Sequence, residues 1–163
     1  MENPRDGQPS TIIEIAPDGD LLLLVGPDET RMRVHSMSLM TVSKPFSEGL
    51  DMHDQGRPSE LLLPEDNVAV LAITCSVIHH KNSEVPRTLA VSNVLAVATA
   101  TDKYDCSNTL RFATKSWLRP SRELASNLML LTTAAYLLQN TQAFKEITRA
   151  LILSYDNAES LIT

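Results

Sequence analysis

Cys75, His79, His80 and Cys106 are side chains of the kinds that hold transition metals. A structural zinc site asks for four thiolate or imidazole ligands drawn from two paired motifs. Here Cys75, His79 and His80 lie along one helix and no second pair completes the set. No metal ligand is therefore assigned, and the expected state is core thiols with exposed histidines at a helix end. Two isolated cysteines are also too few for a disulfide framework. His35 has the chemistry of a general base, but no nucleophile motif such as GxSxG accompanies it, so it reads as a structural hydrogen-bonding residue at the end of a strand. Glu65 and Asp66 form an adjacent carboxylate pair just before a helix, where the helix dipole favours negative charge. None of the five glycines forms a phosphate loop. No catalytic residue and no cofactor is expected, and the chain reads as non-enzymatic.

The elements that carry these residues follow from hydrophobic spacing. Leu21 to Val25 is an apolar run too short for an ordinary helix, stopped by Gly26 and Pro27, and reads as a strand buried on both faces. Arg31 to His35 alternates, with Met32 and Val34 on one face and Arg31, Arg33 and His35 on the other, the pattern of a half-buried partner strand. GPDET between them is a turn, so the two runs make a hairpin. Ser36 is a candidate N-cap for a short helix carrying Met37, Leu39, Met40 and Val42, and Pro45 opens a second short helix with Phe46 and Leu50. Glu60 to Leu63 reads as a further strand. Val68, Leu71, Ala72, Cys75 and Ile78 then recur at helical spacing as one buried face.

Ser92 can cap the following helix, in which Val94, Leu95, Ala98 and Thr101 keep the spacing, with the Thr101 hydroxyl bonding back to the preceding turn. Leu110, Ala113, Thr114 and Trp117 form another helical face, closed by Pro120. Two last helices are expected over Glu123–Asn140, lined by Leu128, Leu131, Thr132, Ala135 and Leu138, and over Ala143–Tyr155, lined by Phe144, Ile147 and Leu151. At the other end, residues 1–10 read as a disordered tail. Thr11 to Ala16 is a β-rich run with Ile13 and Ile15 on one face. It either folds back on Leu21–Val25 as an extra strand or pairs with another chain.

Composition narrows the function classes. The chain has 163 residues, 43% of them hydrophobic and 21% charged, enough for one domain with its own core or one domain with an extension. Aromatics make up only 4%, so aliphatic packing must dominate. A formal charge of −6 without a basic cluster argues against nucleic acid as partner. No run of about 18 apolar residues and no signal segment is present, so no membrane contact is expected and the compartment is expected to be intracellular, cytoplasmic or nuclear.

Several words of this sequence resemble the BTB/POZ domain. They are DLLLLVG, MRVHS and SKPFSEGL, in which Asp20, Val34, His35, Ser43 and Phe46 match the family pattern in order; further along, TDKYDC supplies Asp102 and Tyr104. VHS, ELLLPEDN, VIHHKNSEVP, AAYLLQN and FKEITRALIL are like the short BTB proteins of filamentous fungi, so that the likeness covers roughly residues 11–156. Ser36 departs from the pattern, standing where most members have Lys or Arg, and Thr101 stands where an Ala is common.

The resemblance implies an α+β chain of the BTB/POZ fold, a small β-sheet flanked by a cluster of α-helices, over residues 11–118, with a helical extension over 119–163. It implies a protein partner and a homodimer, with Ile13, Ile15, Met37 and Met40 as the interface. It also implies adaptor service to a cullin-based ubiquitin ligase, for which Met52 and Asp54 are the candidate contacts, with Asp in place of the usual Glu. The alternatives are a dimerisation module of a transcription regulator or a regulatory subunit of an enzyme. Asp20 would line the charged pocket of transcriptional members, but Ser36 leaves that pocket without its basic partner.

Overall fold

The computed structural model describes residues 11–51, 59–120 and 124–160. The tail expected over 1–10 and the candidate contacts Met52 and Asp54 lie outside the described residues. The chain is mixed α+β, with a four-stranded sheet in the order β1-β3-β2-β4 and a set of helices packed on it. The hairpin forms where alternation and the GPDET turn put it: β2 (Leu21–Val25) pairs antiparallel with β3 (Thr30–Val34), Leu21 opposite Val34 and Val25 opposite Thr30. Gly26 takes a positive φ of 75° in this turn, a conformation that costs a Cβ-bearing residue energy. Met32 and Val34 are buried and Arg31 is exposed, as the two-residue period requires.

β1 (Ile13–Glu14) is shorter than its β-rich run and does not fold back on β2; it lies parallel to β3, with Ile13 opposite Met32. The pairing is within the chain, and Ala16 extends it by donating its N–H to the Arg33 carbonyl at 3.0 Å. Gly19 lets the connection pass against β3, where a Cβ would meet the Val34 carbonyl oxygen at 2.3 Å. After β3 come α1 (Ser36–Val42) and α2 (Lys44–Asp51), and β4 (Glu60–Leu63) then returns parallel to β2 on its free side, Leu23 opposite Leu61.

α3 (Val68–Ile78) starts from Asn67, whose side-chain oxygen accepts the Val70 N–H at 3.1 Å. Leu71, Cys75 and Ile78 are buried as spaced, with Val68 and Ala72 half-buried. Thr74, Ser76 and Val77 are buried as well, because the C-terminal half of α3 is surrounded rather than laid on a surface. α4 (Val91–Lys103) begins one residue before Ser92, so Ser92 is inside the helix and exposed rather than its cap. Thr101 is buried and donates its hydroxyl to the Val97 carbonyl at 2.7 Å.

The expected helical face from Leu110 to Trp117 breaks into α5 (Ser107–Leu110) and a 3₁₀ turn at Ala113–Ser116. The backbone stays right-handed through the break, so Leu110, Thr114 and Trp117 still point inward. α6 (Ala125–Leu137) packs on α4, and α7 (Thr141–Ser160) packs on α6. One hydrophobic cluster runs from Leu21 and Leu23 in the sheet through Leu71 and Val94 to Leu131 and Ile147 in the last two helices.

Candidate interaction surfaces

Asp20, His35, Ser43, Phe46 and Tyr104, which carry much of the BTB/POZ resemblance, fall into two clusters, and both are structural. In the first, the Asp20 carboxylate stands at the start of α1. One oxygen accepts the Ser36 N–H at 2.8 Å and the other the Ser36 hydroxyl at 2.6 Å. Hydrogen bonds from Ser36 favour the charged form and hold the Asp20 carboxyl below its ordinary range. Ser36 is thus the first residue of α1, and its partner caps the helix in its place. His35 occupies the capping position without a side-chain bond to the helix. Its ring Nε2 lies 3.2 Å from an Asp18 carboxylate oxygen, and its backbone N–H donates to Nε2 of His79 at 3.0 Å.

His79 is therefore not an exposed histidine at a helix end. With Nε2 accepting from His35, Nδ1 must carry the proton, and it donates to the Cys75 carbonyl at 2.8 Å. Burial lowers its pKa below the ordinary 6.5, and the nearby His35 pushes the same way. His80, with a positive φ of 59°, is the exposed one. Cys75 and Cys106 are buried free thiols, each pushed up to about 12 chiefly by burial. Among the described residues no group of three or more Cys, His, Asp or Glu comes together in a way that would hold a metal ion.

The second cluster centres on Tyr104. Its ring stacks on Phe46 with centroids 4.3 Å apart and planes within 8°. Its carbonyl accepts the Ser43 hydroxyl at 2.5 Å, and the Ser43 oxygen in turn accepts the Phe46 N–H at 3.3 Å, capping α2. Its phenol donates to Asp66 at 2.6 Å, beside Lys103, which reaches the same oxygen at 2.9 Å. Burial and the Asp66 carboxylate raise the Tyr104 pKa well above its ordinary range. Asp66 thus serves as a tether from the start of α3 to the end of α4, while the capping falls to Asn67. Asp102 is exposed on α4 and belongs to neither cluster.

The expected interface residues separate. Met37 is 54% exposed on α1 and Met40 half-buried beside it; Ile13 is half-buried, and Ile15 is buried at 2% inside its own chain. A different surface was missed. Of eleven exposed large apolar side chains among the described residues, eight lie between Leu124 and Tyr155, on or next to α6 and α7. Phe144 belongs to this set rather than to the α7 lining, since Ala143 and Ile147 take the buried positions; its ring faces Tyr136 at 6.4 Å. The sequence held a signal for this, because Ala143 and Ile147 already give α7 a buried stripe at four-residue spacing, to which Phe144 is lateral.

No protein-family model matches this chain, and no curated protein sequence matches it. No helix among the described residues is long and apolar enough to cross a membrane.

Proposed function

We propose that this protein is a non-enzymatic protein–protein interaction module of the BTB/POZ type that self-associates and serves as an adaptor, with a cullin-based ubiquitin ligase as the partner class. The observation that carries the reading is the convergence of Ser43, Phe46 and Tyr104. These residues bear the family likeness in two words of the sequence, with Ser43 and Tyr104 61 positions apart, and they bond and stack with one another. The parallel return of β4 onto β2 after two short helices agrees with it. An interaction role is supported by the exposed Met37 on α1 and by the apolar side chains gathered on α6 and α7.

Light scattering at about tens of micromolar is expected to return twice the chain mass of 18.0 kDa, and Met37→Glu to return a monomer with unchanged helical content. A wild-type monomer at that concentration overturns the self-association. The adaptor part is tested by titration against the N-terminal portion of a cullin. Met52→Ala should weaken binding more than Asp54→Ala, because buried apolar anchors dominate interface energetics, and Asp54→Glu should strengthen it. No binding at about 100 micromolar by either wild type or Asp54→Glu would reject the adaptor role.

A further inference from the structure

A cleft of about 530 Å³ lies between the α5–3₁₀ segment and the start of α7, and its chemistry differs from that of the chain as a whole. Arg111, Lys115 and Arg119 line one side. They alternate in the chain with Leu110, Thr114 and Trp117, which are buried, while the three cations stay at the surface. All three are exposed, and none makes an ion pair among the described residues. Thr141 and Gln142 at the start of α7 line the other side, where the helix dipole adds to the positive potential. Among the described residues one acid, Glu146, lines the cleft, and it accepts a hydrogen bond from Gln142 at 2.6 Å.

Apolar surface borders the cations. Phe112 lines the cleft and is 86% exposed. Gln139, Asn140 and Thr141 also border a second hollow, of about 270 Å³, which Tyr136 and Phe144 line. We propose that this cleft binds an acidic peptide segment of a partner protein, its carboxylates on Arg111, Lys115 and Arg119 and an apolar side chain against Phe112 or the Tyr136–Phe144 pair. Charge complementarity selects the occupant. Outside the three cations, eleven Lys and Arg face twenty Asp and Glu, a balance of −9 that would repel a long polyanion such as nucleic acid beyond the cleft itself. A short segment meets only the positive part. The site is a second surface, beyond the self-association proposed above.

The test uses the full chain and a fluorescein-labelled peptide built of Asp, Glu, Leu and Phe, read by anisotropy. Exposed pairs are individually weak, so binding is expected at about 10 to 100 micromolar and should weaken several-fold between about 50 and 300 mM salt. Lys115→Glu should weaken it about tenfold or more, and Arg119→Glu should do the same, so that the reading survives if one variant fails to fold. Arg31→Glu, an equal charge change on the exposed sheet face, should leave binding within about twofold. The proposal is overturned if wild type does not bind at about 1 mM, if a peptide with Asn and Gln in place of the acids binds equally, if Arg31→Glu weakens binding as much as Lys115→Glu, or if an oligothymidylate binds as tightly as the acidic peptide.

Discussion

Tyr104→Phe removes one oxygen and leaves the stack on Phe46 in place, which makes it a clean probe of the tether between α3 and α4. Tyr104 is 5% exposed, and the Asp66 side chain it bonds is 8% exposed, so neither group reaches bulk water readily. The hydrogen bond is short, 2.6 Å, and its acceptor is ionised, which puts its contribution at about 1.5 to 3 kcal/mol. Lys103 at 2.9 Å stays on the same oxygen and keeps the carboxylate paired, so the full penalty of an orphaned buried charge is not incurred and the lower half of that range is expected. Urea denaturation should accordingly give a loss of about 1.5 to 2 kcal/mol with an unchanged slope. Asp66→Ala should cost at least as much, since it also removes the Lys103 pair, and the double variant should cost less than the sum of the two, because both remove the same bond. A loss below about 0.5 kcal/mol for Tyr104→Phe, or strict additivity with Asp66→Ala, would refute the assignment of this bond as the tether.

Trp117 is 6% exposed and its indole N–H donates to the Pro86 carbonyl at 2.9 Å, so its emission should be blue-shifted and protected from soluble quenchers. Trp117→Ala should cost about 3 to 5 kcal/mol in denaturation, and free quenching in the folded protein would contradict the burial. His79 predicts a pH dependence. Its folded pKa lies below 6.5, so its contribution is complete above that value and is lost as pH falls, when the unfolded chain takes up a proton that the folded one resists. Wild-type stability relative to His79→Gln should therefore fall between about pH 7.5 and 5, since Gln can still accept from His35 but does not titrate; a constant difference across that range would count against the neutral Nδ1–H form.

Local periodicity is what the sequence determines by itself. The hairpin of β2 and β3 was legible because alternation and turn chemistry act within a few residues, and the buried faces of α3, α4 and α6 because burial on one side of a helix leaves a three-to-four-residue signature. The break between α5 and its 3₁₀ turn was not legible, because Leu110, Thr114 and Trp117 keep the same spacing on either kind of right-handed backbone. Tertiary structure alone decided which strand Ile13 joins, since its alternation suits the edge of β3 as well as that of β2. It alone set Asp20 rather than Ser36 as the cap of α1, and Tyr104 rather than solvent as the partner of Asp66, because hydrogen bonds across 16 and 38 positions leave no local pattern. The cleft of Arg111, Lys115 and Arg119 belongs to both. The spacing of its cations was present in the sequence, but the wall that makes it a cleft comes from α7, which folding brings opposite.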